Sequence, residues 1–281
     1  MIPKLFFLAF MTVHAVMTAL PAQAWGQAGH VLVGKAAVAQ ASPAARAAVL
    51  EILGIDSGHE GAALNAALED ACNWPDTLRA SGKEPGTAPL HYVNLPRSDP
   101  HYDRQRDCPD GLCVTEGILQ FAAELGRLQD DSSEPARARR WQAFAWLCHL
   151  VGDLHQPLHA AFRDDRGANR VEVSYRGEPY NLHQFWDDVL EKERMVVEPL
   201  AAADLVSCGS AKPWDPADVA AWTDESHALA LTASYPPGPE IDDAFADRSW
   251  ELVQSQWKKA ARRLASILDA VLAEPAPPAG P

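Results

Sequence analysis

Four histidines lie close together in the middle of the chain, and two of them are followed at a fixed distance by an aspartate. Asp153 follows His149 by four residues, and Asp187 follows His183 by four residues. Residues four apart share one face of an α-helix, so each pair would present an imidazole and a carboxylate in the same direction. Zinc accepts both groups as ligands in proteins. Two such helices facing each other would therefore supply four ligands of a metal site.

A further histidine extends this pattern. Pro157 would end the first helix and let His159 turn back toward His149 and Asp153. A single histidine on an apolar helix is more often a hydrogen-bonded core residue, and a single His-x3-Asp pair can be a salt bridge. Two copies of the pair with His159 favour a metal site. His155 falls on a different face of the helix, so we place it outside the ligand set, as a residue that supports the ligands or contacts substrate.

The elements that must position these residues are mainly helices. Apolar residues recur with a helical period over most of the chain, whereas residues 171–175 alternate as in one arm of a β-hairpin. We predict a mainly α fold, a single helical domain with long loops and a small β-hairpin. The predicted helices span residues 29–39, 43–54, 62–79, 115–128, 134–156, 181–193, 216–230 and 242–272. The histidines without a patterned partner, which we expect at the surface, are His59, His101 and His227.

The composition limits the classes of function. The chain has 281 residues, 47% hydrophobic and 22% charged, which excludes collagen-like, disordered and coiled-coil proteins. Its 24 Lys and Arg face 38 Asp and Glu, giving a formal net charge of −14. An acidic chain has no general attraction for polyanions, which argues against a protein that coats duplex DNA. An enzyme acting on nucleic acid stays possible if positive charge is concentrated in one site.

The two ends of the chain differ in composition from the rest. Residues 1–24 resemble a secretory signal peptide, because Lys4 precedes an apolar run and Ala22-Gln23-Ala24 forms a small-x-small cleavage site. The alternative is a membrane anchor, for which the run is short. We predict a signal peptide at 1–24, one domain at 25–273 and a disordered Pro/Ala-rich tail at 274–281. The mature protein would be secreted or periplasmic, without a membrane anchor.

The five cysteines are few for a disulfide scaffold, but an exported chain can hold disulfides. Cys108 and Cys113 bracket a Pro/Gly turn and could close a small loop. Cys148 lies in an apolar helical run and could be a free buried thiol. A bridge between Cys72 and Cys208 is an open alternative.

Six motifs follow one another from Trp25 to Asp187. They are W-G-x-x-G-H at 25–30, W-P-D-x-x-R at 74–79, H-Y-V-N at 91–94, H-x-x-G-D-x-x-Q-P-L-H at 149–159, G-A-N at 167–169 and N-L-H-x-x-W-D at 181–187. With this ordered set the sequence resembles the zinc-dependent single-strand-specific nucleases, the family of mung bean nuclease. Bacterial zinc-dependent phospholipase C is a more distant relative. The Cys108–Cys113 pair also matches a cysteine pair of the family.

The resemblance implies a mostly helical domain with three clustered zinc ions in a cleft. The implied ligands of one zinc are Asp76, His91, His149 and Asp153, and those of a second are His159, His183 and Asp187. The third zinc would take the α-amino nitrogen and carbonyl oxygen of Trp25, with His30 and Asp153. Asp153 would then bridge two metals, and the Trp25 amine would become available when the signal peptide is removed.

The resemblance also implies residues that act on substrate. Arg79 would hold the scissile phosphate, and Tyr92 and Asn169 would lie near the substrate, with Tyr92 as a stacking surface for a base. The implied catalytic residues are Arg79, Asp153 and Asn94. Many eukaryotic members have aspartate at the position of Asn94. Asparagine cannot accept a proton, so we do not expect Asn94 to be essential as a base. The family's G-G-N is G-A-N here, so the backbone near Ala168 is expected to differ.

These features predict an endonuclease that hydrolyses single-stranded DNA and RNA to 5′-phosphorylated products, with 3′-nucleotidase activity. Clustered metals can activate a water and neutralise phosphate oxygens, and a flexible single strand can enter a cleft and stack its bases. No stable protein partner is implied. One alternative is a zinc-dependent phospholipase C, which would need an apolar surface for acyl chains. A non-catalytic zinc-storage or structural protein is the other, and Arg79 argues against it.

Overall fold

The computed structural model describes residues 25–56, 58, 60–206 and 212–272. The predicted signal peptide and tail lie outside the described residues, as do His59 and Cys208. The helices are α1 Gln27–Gln40, α2 Pro43–Ile52, α3 Ala62–Ser81, α4 Arg104–Asp107, α5 Val114–Arg127, α6 Glu134–Leu154, α7 Leu182–Gln184, α8 Leu190–Val197, α9 Asp218–Thr232 and α10 Asp243–Leu272. The strands are β1 Glu172–Tyr175, β2 Glu178–Asn181 and β3 Glu240–Ile241.

The mainly α fold with a small hairpin is confirmed. β1 and β2 pair antiparallel, and the turn between them has positive φ at Arg176 (52°) and Gly177 (84°), as a two-residue hairpin loop requires. The parallel partner β3 was not predicted, because two residues are too few to show alternation. The predicted helix 181–193 is also wrong in detail, since a π-helical turn, Phe185–Val189, separates α7 from α8.

Helix α6 runs through the middle of the domain. Every residue from Ala143 to Leu154 is buried, as expected for a helix covered on all sides. α6 packs against α3 and α5, while α1 packs against α3 and α10. Two metal-ligand candidates therefore lie on the most enclosed helix of the fold. Among the described residues, no helix has the length and apolar character that crossing a membrane would require.

A disulfide joins Cys72 of α3 to Cys148 of α6, with Cα atoms 5.1 Å apart. The expectation that Cys148 is a free thiol is therefore wrong, and Cys72 does not pair with Cys208. The two cysteines are 76 positions apart in the sequence, so no local pattern could predict that they pair. The small loop closed by Cys108 and Cys113 is confirmed.

We predicted that His101 and His227, which have no patterned partner, lie at the surface. This prediction is confirmed for His101 alone. His101 is largely exposed and contacts Asp224. His227 is fully buried in α9, and its Nδ1 donates to the carbonyl of Ala160 at 2.6 Å. The prediction for His227 is therefore wrong, because this backbone bond replaces the water that an exposed imidazole would contact.

Gly34 of α1 contacts the Cys72–Cys148 disulfide, which leads to a stability prediction. A Cβ at Gly34 would lie 2.6 Å from both sulfurs. We expect Gly34→Ala to lower the free energy of unfolding by about 1–3 kcal/mol, because overpacking of a tight core forces neighbours apart. Urea unfolding measures this. The control is Gly126→Ala in α5, where the nearest atom is 3.5 Å away and alanine should be neutral or stabilising. Equal stabilities of the two variants would contradict the prediction.

Candidate metal centre

The predicted ligands converge from separate elements of the fold, and all are buried. α6 carries His149 and Asp153, α1 carries His30, and α3 carries Asp76. The 3₁₀ turns Pro85–His91 and Pro157–Ala160 carry His91 and His159, while α7 and the π-helical turn carry His183 and Asp187. The fold thus brings together residues up to 157 positions apart in the sequence. Their side chains are almost inaccessible to solvent.

The local sequence explains how His159 returns to α6. A residue before proline is disfavoured in the helical region, and Gln156 is extended with ψ 113°. α6 accordingly ends at Leu154, and the Gln156 side chain accepts a bond from the Leu158 N–H at 2.6 Å. The following 3₁₀ turn brings the His159 ring back toward Asp153. The role expected of Pro157 is therefore confirmed.

The Asp153 carboxylate lies at the centre of the cluster. Its oxygens are 3.0 Å from His91 Nδ1, 3.2 Å from His149 Nε2, 3.4 Å from His30 Nε2 and 3.7 Å from His159 Nδ1. At the far side, Asp187 lies 3.0 Å from His183 Nε2 and 3.6 Å from His159 Nε2. His149 and Asp153, and likewise His183 and Asp187, therefore face the same way, as their spacing predicted.

Three groups of these side chains have the geometry to hold a metal ion. The groups are His30, His149 and Asp153; Asp76, His91 and His149; and His159, His183 and Asp187. Within each group the potential ligand atoms all lie within 4.8 Å of one another. This grouping brings the predicted residues together, with His149 shared by the first two groups.

The hydrogen bonds of the imidazoles fit metal ligation. His149, His159 and His183 point Nδ1 at the carbonyl oxygens of Cys72, His91 and Gly167, at 2.9, 2.7 and 2.6 Å. Nδ1 therefore carries a proton in each ring, and Nε2 faces the carboxylates, where it can bind a metal ion in exchange for its own proton. An unprotonated Nε2 and a carboxylate oxygen repel each other unless a proton or a metal ion lies between them. Carbonyls that fix ligand histidines in this way are typical of metal sites.

Several buried polar atoms of the cluster have no hydrogen-bond partner among the described residues. They include His30 Nε2, His159 Nε2, Asp153 Oδ1 and Asp187 Oδ2. Buried polar groups nearly always have a partner, and an unmet one is costly. Divalent cations would satisfy these atoms, so the donor set fits the metals that the resemblance implies.

The pKa values reflect this concentration of charge. Burial lowers the pKa of His159, but the Asp153 and Asp187 carboxylates outweigh it and raise the pKa to about 9. Burial would raise the pKa of Asp187, but His183 and His159 hold it well below its usual range. Burial, with His149 next to it, lowers the pKa of His30 well below its ordinary value. The Asp187 carboxylate is thus held ionised, as cation binding requires.

The residues expected to contact substrate lie at the edge of this cluster. The Arg79 guanidinium forms a salt bridge with Asp76, with a nitrogen 2.9 Å from Asp76 Oδ1, and its side chain is partly exposed. Tyr92 follows His91, and its side chain is 40% exposed. Asn94 lies against the loop that ends at Asn169, because a Cβ on Gly167 would be 3.4 Å from Asn94 Oδ1.

Residue 25 is held next to the cluster. The Trp25 indole donates to the carbonyl of Gly152 at 2.8 Å, and the Gly26 N–H donates to the carbonyl of Asp187 at 2.6 Å. Gly152 has no side chain because a Cβ there would be 2.6 Å from His30 Nδ1. The glycines of the motifs thus leave room for the ligands.

Sequence reasoning missed two buried residues that support the ligands. Glu191 accepts the Gly29 N–H at 3.0 Å, and side chains on Gly26 or Gly29 would overlap its carboxylate. Burial raises the pKa of Glu191 to about 8. Gln156 donates to Asp187 Oδ1 at 2.6 Å. Two features of the motifs could have indicated these contacts. They are the glycines of W-G-x-x-G-H, which pack against Glu191, and the glutamine of Q-P-L-H, which binds Asp187.

His155 faces away from the metal cluster. Its Nδ1 donates to the carbonyl of Val151 at 2.6 Å, and Arg263 of α10 donates to its Nε2 at 2.7 Å. Burial, with Arg263 next to the ring, lowers the pKa of His155 to about 3. His155 is therefore a core residue that joins α6 to α10.

Fold and site together define a mainly helical protein with three buried His/Asp groups that could hold metal ions. The S1/P1 nuclease family model matches residues 25–273, and the chain belongs to this family.

Individual relatives differ in how much of the chain they match. Endonuclease 3 of Arabidopsis thaliana is 32% identical over 166 residues, 59% of this chain and 54% of the relative. The match thus spans about half the length of that protein. Nuclease S1 of Aspergillus oryzae is 24% identical over 89% of this chain and 93% of its own length, and nuclease P1 of Penicillium citrinum is 24% identical over 88% and 97%.

Proposed function

We propose that the protein is a zinc-dependent endonuclease that hydrolyses single-stranded DNA and RNA to 5′-phosphorylated products, with 3′-nucleotidase activity. One observation carries the proposal: in a chain of the S1/P1 nuclease family, three buried His/Asp groups meet around Asp153. We further propose that residues 1–24 are a signal peptide and that the protein acts outside the cytoplasm.

We propose that the metal ligands are the side chains of His30, Asp76, His91, His149, Asp153, His159, His183 and Asp187, with the backbone of Trp25. When bound, clustered zinc ions activate a water at neutral pH and neutralise phosphate oxygens. The residues of the chain orient these ions: Cys72, His91 and Gly167 fix three imidazoles through backbone carbonyls, and Gln156 fixes Asp187.

Arg79 and Tyr92 bind substrate in this proposal. The guanidinium of Arg79 is oriented by Asp76, and its planar geometry suits the oxygens of the scissile phosphate. The exposed ring of Tyr92 offers a face on which a base can stack, an interaction of about 1–3 kcal/mol that tolerates any base. Asn94, which lies against Gly167, and Asn169, two residues further along that loop, would offer their amide groups to the substrate.

The charge distribution favours a single strand over a duplex. Three carboxylates cannot neutralise three divalent cations, so the loaded cleft would be a positive region in a chain of net charge −14. The acidic remainder repels the second backbone of a duplex, whereas an unpaired strand can bend toward the metals alone.

The test compares substrates with one zinc-loaded preparation. Single-stranded DNA and RNA should be cut to fragments with 5′-phosphate ends, and duplex DNA of the same sequence much more slowly. Phosphatidylcholine vesicles test the alternative, a phospholipase C. Hydrolysis of phosphatidylcholine without cleavage of nucleic acid would contradict the proposal.

A further inference from the structure

The loop 163–170 contains backbone in an unusual conformation. Arg166, Gly167 and Ala168 have successive φ values of 59°, 64° and 65°, all in the left-handed region. Only glycine adopts this region without cost, so Arg166 and Ala168 are strained. Such strain persists where the surrounding structure fixes it, and it concentrates at functional sites.

The buried carboxylate of Asp165 fixes the strained turn. One of its oxygens accepts the Ala168 N–H at 2.8 Å. The other accepts from Tyr235 at 2.8 Å and from Arg97 at 2.7 Å. Asp165 therefore fixes the backbone of the turn by linking it to Tyr235 and Arg97.

The turn faces the metal cluster on one side and solvent on the other. On the inner side, the Gly167 carbonyl accepts the His183 Nδ1–H, and the Gly167 Cα lies against Asn94. On the outer side, the Asn169 amide donates to the carbonyl of Arg166 at 2.9 Å, which ties these two exposed residues together. The Arg166 side chain thus begins one residue from the carbonyl that orients a ligand histidine.

The arginines in and near this loop differ in whether a carboxylate neutralises their charge. Arg97, Arg104, Arg106 and Arg163 each contact a carboxylate. In the part of the chain that the structure describes, neither Arg166 nor Arg170 has a carboxylate partner, and the Arg170 guanidinium donates to the carbonyl of Asp164. An acidic chain therefore keeps two unneutralised guanidinium groups in the loop next to its metal cluster.

We propose that Arg166, assisted by Arg170, binds a backbone phosphate of a bound single strand, away from the phosphate that is cleaved. This subsite rests on the proposed nuclease function and extends it. The subsite does not distinguish between bases, because the guanidinium would contact only the phosphate. It favours longer strands, because a dinucleotide has no second phosphodiester to occupy it.

The test compares Arg166→Ala with the wild type on oligonucleotides of about 12 nucleotides and on dinucleotides. We expect KM for the longer strand to rise about fivefold and kcat to be unchanged, because one exposed charge contact is lost. The slope of log kcat/KM against log salt should become shallower by about 0.7, the value for one phosphate on a single strand. Dinucleotide cleavage and metal content should not change.

The matched control is Arg104→Ala, which removes an exposed arginine paired with Glu116 and should change neither KM nor the salt slope. Unchanged KM and slope in Arg166→Ala would overturn the subsite, and so would an equal loss on dinucleotides. If the wild type cleaves no nucleic acid, the proposed function fails instead. Binding of a fluorescent phosphorothioate oligonucleotide then decides the subsite, since equal Kd for the wild type and Arg166→Ala overturns it.

Discussion

Removal of bound metal should abolish nuclease activity and lower the Tm by about 10 °C or more. The ligands come from distant elements, so ions that join them bind the folded chain alone and add to its stability. A few kcal/mol of lost stability shifts the Tm of a chain of this size by about this amount. Without the ions, the unpartnered atoms of His30, His159, Asp153 and Asp187 stay buried.

The measurement is calorimetry before and after treatment with a chelator, with metal content determined on the same samples. Zinc should restore both activity and Tm, whereas magnesium, which prefers oxygen ligands, should restore neither. An unchanged Tm after proven removal of the metal would show that the cluster does not support the fold.

Asp153→Asn should remove more bound metal per chain than Asp187→Asn and reduce activity by about 10³-fold or more. The Asp153 carboxylate approaches four imidazoles, including those of His30 and His149. Asp187 approaches two imidazoles, those of His159 and His183. Asparagine keeps the shape of the side chain but loses its charge and one acceptor oxygen. Because Asp153 approaches more imidazoles, its replacement should release more metal than that of Asp187.

Metal analysis of the two purified variants measures the difference, and circular dichroism shows that both are folded. Asp188→Asn is the matched control, because Asp188 pairs with Lys192 and belongs to none of the three groups. Equal metal losses in Asp153→Asn and Asp187→Asn would contradict the central position assigned to Asp153.

The candidate site was more predictable than the contacts that support it. The spacing of His149 and Asp153 encodes a shared helical face, and Pro157 encodes the return of His159, so local rules were sufficient there. The Cys72–Cys148 bond and the contact between Glu191 and Gly29 depend on which helices pack together, and no local pattern encodes that packing. The π-helical turn at Asp187 was missed because its residues have an ordinary helical pattern.

If the protein is exported and cleaves RNA, as proposed above, the cell that makes it must prevent damage to its own messenger RNA before export. The Cys72–Cys148 bond bears on this hazard, because the carbonyl of Cys72 orients His149 and α3 also carries Asp76. In a reducing cytosol the thiols stay unlinked, and the two helices lose the covalent tie that holds these ligands in register. Oxidation after export would then restore the tie, so the compartment itself would determine when the proposed activity begins.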